Sequence, residues 1–145
     1  MYLEKRFEEL SNSANKVKVH RLLNNIGYEL DMLGRDAEGD GRRNPLDGDS
    51  DSYFDLGLRA RKKAAEVYRK TGSRLKEAKT LERIANNELV FQGNIEASIE
   101  SREEALQIYE ELGVKVDAGW AAFRLAQDFY YAGKIEGARE YAQKP

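Results

Sequence analysis

The sequence contains no cysteine, two prolines and one histidine, and each scarcity excludes a class of structure or site. Without cysteine there can be no disulfide, no thiolate metal ligand and no cysteine nucleophile. Few prolines interrupt the chain, and most of it outside residues 36–53 lacks the alternation typical of β-strands. His20 stands at the start of a predicted helix with no serine or acidic motif beside it, which indicates a structural or surface role.

The sequence also lacks a strong excess of charge and any long apolar run. A net charge of −2 disfavours nucleic-acid binding through bulk charge. No segment is apolar for long enough to predict a transmembrane helix, and residues 1–7 lack the apolar core of a signal peptide. We therefore expect a cytoplasmic protein that binds neither nucleic acid nor membrane, and the absence of cysteine fits a reducing compartment.

No motif for catalysis is present in the sequence. We find no glycine-rich phosphate loop, metal triad or nucleophile elbow. The carboxylate pairs at 103–104 and 110–111 are adjacent residues, which point in different directions on a helix and are typical of solvated faces. We therefore expect no enzyme activity, no catalytic residue, no cofactor and no metal ligands.

A motif occurs twice at a fixed distance. The segment from Tyr68 to Gly72 recurs from Tyr109 to Gly113, 41 residues later, and the segment from Arg83 to Ala85 recurs at the same step as 124–126. A constant period of this length predicts helix pairs stacked into a solenoid, since one pair cannot bury its apolar face alone.

Helical spacing of apolar residues divides the chain into units of two helices. We predict an all-α fold, a right-handed α-solenoid of antiparallel helix pairs with about three units, incomplete at both ends. Its first complete helix runs over 21–34 and ends at Gly34. Within one domain, residues 1–14 form a half-unit helix, 15–72 the first unit with an insert at 36–53, 73–113 the second unit, and 114–145 a third, truncated unit.

Three segments resemble one repeat family. The segment 23–27 matches a first-helix core with its small residue, and 92–100 and 133–142 match a turn followed by a second helix. On these motifs the chain resembles tetratricopeptide-repeat (TPR) proteins of the long-period type found in signalling regulators and kinesin light chains. The resemblance covers nearly all of 20–145 outside the insert. It departs from the family pattern at the insert, at one extra residue before Gly93, and at Pro145, where the family usually has alanine.

The resemblance implies a non-catalytic module that binds a protein or peptide on a concave face lined by the first helices. Asparagine amides, arginine forks and aromatic rings suit such a ligand. Trp120, Phe123 and Tyr130 have a second interpretation, because aromatic residues at helical spacing often fill a core. The residues expected to bind the partner are Asn25, Tyr28, Arg83, Asn86, Trp120, Arg124, Gln127 and Tyr131.

The insert at 36–53 supports an alternative function. It holds six acidic residues and two arginines, and its start places Asp36, Glu38 and Asp40 at alternate positions before Gly41, as in a calcium loop. Arg43 and Asp47 then break that pattern. The alternatives are a sensor of a cation or small ligand, and a solvated acidic loop rich in turn-forming residues.

The two ends of the predicted solenoid are unfinished, and a terminal repeat normally needs a polar outer face. We therefore expect the terminal helices to pair with a second copy of the chain, forming a homodimer, or with another protein. The alternative is that the sequence is a fragment of a longer protein.

Overall fold

The computed structural model of the protein describes residues 2–16, 26, 28–37 and 50–143, and all regular structure within them is helical. Consecutive helices pack against each other where residues 95–112 meet residues 115–131 and where residues 115–131 meet residues 135–142, while residues 2–16 pack on residues 50–71. The predicted all-α class is therefore confirmed for these residues. The helices are α1 (Tyr2–Lys16), α2 (residues 28–37), α3 (Ser50–Thr71), α4 (Arg74–Val90), α5 (Ile95–Leu112), α6 (Lys115–Tyr131) and α7 (Ile135–Ala142).

The repeated tyrosine–glycine motif is a helix terminator. Gly72 and Gly113 follow α3 and α5 with φ of 76° and 72°, a left-handed conformation that glycine adopts at little cost. The N–H of Ser73 then donates to the carbonyl oxygen of Tyr68 over 2.9 Å, and the N–H of Val114 donates to that of Tyr109 over 3.0 Å. This six-to-one hydrogen bond is the Schellman cap. The 41-residue repeat therefore includes the same cap geometry at each copy.

The chain divides into two compact units, residues 1–80 and residues 81–145, with the boundary inside α4. In the first unit, α1, α2 and α3 contribute two adjoining apolar clusters, and Phe7 of α1 packs against both. Tyr68, one of the repeated tyrosines, is buried in the first cluster. The buried residues of the two clusters are Leu10, Ile26, Leu30, Ala64, Val67 and Tyr68, and Leu3, Leu33, Ala37, Leu56 and Ala60.

Gly34 does not end its helix, contrary to the prediction. Helix α2 continues through residue 37, and Gly34 is buried within it. A Cβ atom at this position would lie 2.8 Å from the carbonyl oxygen of Gly57 on α3 and 2.6 Å from Cγ of Arg61. The glycine is therefore needed for the close approach of α2 and α3, and an isolated glycine in a helical pattern can have this packing role.

The predicted insert at residues 36–53 is described only at its two edges. Residues 36–37 belong to α2 and residues 50–53 to α3, while residues 38–49 lie outside the described residues. The alternating acids that resemble a calcium loop fall mostly in that segment.

The second unit consists of the last turns of α4 with α5, α6 and α7. Ala85 and Ala105, which occupy the small-residue positions of the repeat, are fully buried. Seven residues of α5 are buried, whereas α7 contains no buried residue. The α6–α7 end of this unit therefore has a face that the described residues leave uncovered. The predicted single domain with its internal boundaries stays a prediction.

Candidate protein-binding surface

Helix α6 has one buried face and one exposed apolar face. Its buried residues are Ala121, Ala122, Leu125 and Asp128. On the other side of the helix, large side chains stand in solvent, with exposed fractions of 74% for Val116, 56% for Trp120, 53% for Phe123 and 65% for Tyr130. Gln127 is exposed between them. We call this set the α6 face: Val116, Trp120, Phe123, Gln127 and Tyr130.

The core interpretation of Trp120, Phe123 and Tyr130 is wrong, because all three are more than half exposed. Their aromatic contacts lie along the surface of the helix. The ring of Trp120 meets that of Phe123 edge to face with centroids 6.1 Å apart, and Tyr130 meets Tyr131 in a similar way at 6.1 Å. Edge-to-face contact is a favoured geometry for aromatic pairs, and here the rings remain exposed.

A shallow groove of about 490 Å³ runs between α6 and α7 beside the α6 face. Near it, the ring of Phe129 stacks on that of Tyr141 with centroids 5.4 Å apart. A Cβ atom at Gly137 would lie 2.7 Å from the Phe129 ring, so only glycine leaves room for that ring. The hydroxyl of Tyr141 donates to Glu103 on α5 over 3.0 Å, and burial followed by this bond raises the pKa of Tyr141 to about 12. The groove is lined by Phe123, Ala126, Gln127, Tyr130, Tyr131, Ile135, Ala138, Arg139 and Ala142.

A carboxylate on α4 joins three helices beside the α6 face. Glu82 accepts a hydrogen bond from Nη1 of Arg124 over 3.0 Å and another from the hydroxyl of Tyr109 over 2.7 Å. Burial of Tyr109, and then its bond to Glu82, raises the pKa of the phenol. Arg124 is therefore held in one place while about two fifths of its side chain stays exposed.

A second polar network lies deeper between the same three helices. Asp128 of α6 accepts from Nε of Arg102 on α5 over 2.8 Å and from the hydroxyl of Ser98 over 3.3 Å. Nη2 of the same arginine donates to the side-chain oxygen of Asn86 on α4 over 3.0 Å. The network fixes the position of α6 and also the orientation of the Asn86 amide.

The structure brings four predicted binding residues together on one helix. Trp120 and Gln127 belong to the α6 face, and Tyr131 stands next to it with 63% of its surface exposed. Arg124 lies one residue from Phe123 and is partly exposed. All four are exposed or partly exposed.

The other four predicted residues are placed differently. Asn86 is exposed but its oxygen is bound to Arg102, and Arg83 is partly buried and has interactions within the chain. Tyr28 is 58% exposed and belongs to the unit of residues 1–80. Asn25 lies outside the described residues.

The predicted set omitted Val116 and the α7 side of the groove, where Ile135 and Ala138 lie. The signal for Val116 was present in the sequence, because it precedes Trp120 by four residues and extends the series 120, 123, 127 and 130 toward the start of the helix. No sequence signal marked the groove, since it depends on how α6 and α7 pack.

Within the described residues, no three histidine, aspartate or glutamate side chains are grouped so that they could hold a metal ion. Most acids of the insert fall outside that part of the chain, so the cation-sensor alternative stays a prediction. None of the described helices is both long enough and apolar enough to cross a membrane.

Comparison with known proteins does not assign the chain to a family. No protein-family model matches the sequence. No curated protein matches it either. The likeness to TPR proteins therefore rests on the motifs at 23–27, 92–100 and 133–142, together with the 41-residue period.

Proposed function

We propose that this protein is a non-catalytic module that binds a protein or peptide through the α6 face and the adjoining α6–α7 groove. The observation that carries the proposal is the exposure of Trp120, Phe123 and Tyr130 together along one helix. Contiguous exposed apolar patches of this kind are uncommon on monomeric proteins unless they serve as interaction sites.

The chemistry of the surface suits a protein partner. Aromatic rings supply large contact areas and lose little side-chain entropy on binding, and they are enriched among residues that dominate binding energy. Arg124, held by Glu82, and Asn86, held by Arg102, are polar groups already fixed in place. Fixed groups reduce the ordering cost that a partner must overcome.

The repeat supports the finer assignment of the fold. The helix caps that recur 41 residues apart, the sequential packing of α5, α6 and α7, and the three TPR-like motifs support a right-handed α-solenoid of TPR type. The absence of cysteine is compatible with a cytoplasmic location.

The test uses the only tryptophan of the chain, Trp120, as its reporter. Peptides would be selected from a displayed random library on the immobilised protein and then titrated in solution while Trp120 emission is recorded. We expect bound peptides to shift the emission to shorter wavelength, because the indole leaves water. Phe123→Ala and Tyr131→Ala should each weaken binding roughly tenfold or more.

Tyr28→Ala serves as the matched control, since it removes an equally exposed tyrosine from the other compact unit. Titrations should use low micromolar protein, so that self-association does not compete. If every selected peptide binds Phe123→Ala and Tyr131→Ala as tightly as the unaltered chain, the proposed surface is the wrong one.

A further inference from the structure

The residues of the α6 face follow the spacing of a helix–helix seam. Successive members of the face, from Val116 to Tyr130, are separated by four, three, four and three residues, and all five are exposed. Apolar residues at this alternation form the a and d positions along which two helices pack nearly parallel or antiparallel. The surface therefore fits a whole helix lying along α6.

Small residues line one flank of the α6 face. Gly119 and Ala126 stand seven residues apart on one flank, and a Cβ atom added at Gly119 would meet nothing within 4 Å. Small residues on this side allow another helix backbone to approach to about 8 Å. The same flank opens into the α6–α7 groove, where Ile135 and Ala138 offer further apolar contact.

We propose that the occupant is α6 of a second copy, packed antiparallel about a two-fold axis near Phe123, an inference that rests on the proposed protein-binding role of this face. Antiparallel pairing places the small Val116 opposite the large Tyr130, and the large Trp120 within one residue of the level of Gln127. Phe123 then faces its own copy. A parallel pair would set Trp120 against Trp120 and Val116 against Val116, which leaves one layer crowded and another empty.

The charges of the face permit this contact. It contains no acidic or basic side chain, so pairing two copies buries no isolated charge. Arg124 lies close to the proposed axis, and its charge is already balanced by Glu82 at 3.0 Å. An isologous contact of this kind closes on itself and yields a dimer.

The exposed area is sufficient for a dimer. The half-exposed aromatic rings of α6, with Val116 and Ile135, leave on the order of 600 Å² of accessible surface in each copy. Two copies could therefore bury up to roughly 1,200 Å² through these residues, which is the lower limit of specific interfaces. We expect a reversible dimer that is populated at about 100 µM chain.

The test is a charge swap at the axis. Phe123→Glu and Phe123→Arg would each be examined by light scattering across a concentration series, alone and as an equimolar mixture. Each variant alone places two like charges opposite each other, which should weaken the dimer roughly 100-fold or more. The mixture places Glu against Arg and should restore the dimer, as the mass and a blue shift of Trp120 emission would show.

Tyr2→Ala is the control, because it removes a 76%-exposed aromatic ring from α1, outside the proposed contact. It should leave the dimer unchanged, and helical circular dichroism should confirm that all variants fold. A wild-type chain that stays monomeric at about 100 µM would overturn the proposal. So would a dimer that survives both charge variants, a mixture that does not restore it, or a dimer lost in Tyr2→Ala.

These outcomes are separable from failure of the proposed function. A monomeric chain whose Trp120 emission responds to selected peptides would retain the binding role and lose only the second copy as partner. A dimer restored by the charge swap would support both.

Discussion

Nε of Arg102 on α5 donates a hydrogen bond to Oδ2 of Asp128 on α6 over 2.8 Å, and both side chains are almost completely buried. Because Arg102 also bonds Asn86 on α4, one guanidinium connects three helices. The helix that carries the exposed aromatic face is thereby held by a buried ion pair on its opposite side. The rigidity of the proposed binding surface therefore depends on a contact that is buried inside the protein.

Asp128→Ala should lower the free energy of unfolding by about 3–5 kcal/mol, because it leaves the Arg102 guanidinium buried without its counter-charge. Urea unfolding followed by circular dichroism measures the loss. The double variant Arg102→Met with Asp128→Leu is the control and should lose much less, since it buries no charge. If the two variants lose the same free energy of unfolding, the loss comes from the changed packing volume and not from the unpaired charge of Arg102.

Tyr109→Phe should lower the free energy of unfolding at neutral pH by about 1.5–3 kcal/mol, because it removes a hydrogen bond to the carboxylate of Glu82. The raised pKa of Tyr109 also makes this difference depend on pH. The bond stabilises the fold fully below the phenol pKa of the unfolded chain, about 10. Above that pH the unfolded chain loses a proton that the folded chain retains, so the stability of the wild type falls.

The measurement is urea unfolding at several pH values from neutral to strongly alkaline. The gap between wild type and Tyr109→Phe should narrow above a pH of about 10, while lysine titration affects both chains equally. Tyr130→Phe, which alters an exposed phenol, should show no comparable gap at any pH. If the difference in free energy of unfolding between wild type and Tyr109→Phe stays constant up to strongly alkaline pH, the assigned cause of the pKa shift is contradicted.

Gly137→Ala should destabilise the contact of α6 with α7 by about 1–3 kcal/mol, because the new methyl group would overlap the Phe129 ring. Stacking on Tyr141 restricts the movement of that ring. Gly119→Ala is the matched control, since Gly119 also lies within a helix but its added Cβ would meet no atom within 4 Å. It should stabilise the protein by about 0.5–1 kcal/mol. Thermal unfolding at low concentration gives both values, and stabilisation by Gly137→Ala would mean that Phe129 can move aside.

Tyr131→Ala and Arg124→Ala should change the free energy of unfolding by different amounts, although Tyr131 and Arg124 are both predicted binding residues. Tyr131 is 63% exposed, so its removal should change the free energy of unfolding by less than about 0.5 kcal/mol. Arg124 bonds Glu82 and is only partly exposed, so its removal should cost about 0.5–1.5 kcal/mol. Chemical unfolding measures both changes. A large loss of unfolding free energy in Tyr131→Ala would indicate that Tyr131 packs as part of the fold.

Much of the helical layout could be predicted because its signals are local. The ends of α3 and α5 depend on a glycine that reaches the left-handed conformation and on a carbonyl four residues earlier, and both lie within one short motif. The helical spacing of apolar residues likewise predicted an all-α fold. The candidate surface overlaps the predicted set in part, since that set contains the exposed residues Trp120, Gln127 and Tyr131 and omits Val116.

The sequence by itself determined that the chain is helical, where most helices end, and that a motif returns after 41 residues, because backbone propensity and capping act over a few neighbouring residues. Only the tertiary structure decided which face of α6 is buried. It also decided that Gly34 leaves room for the close approach of α3 and does not end its helix, and that Arg102 pairs with a residue 26 positions away. These outcomes depend on which helices lie side by side. Whether an aromatic stripe becomes core or binding surface is set by the presence of a neighbouring helix, and spacing along the chain is the same in both cases.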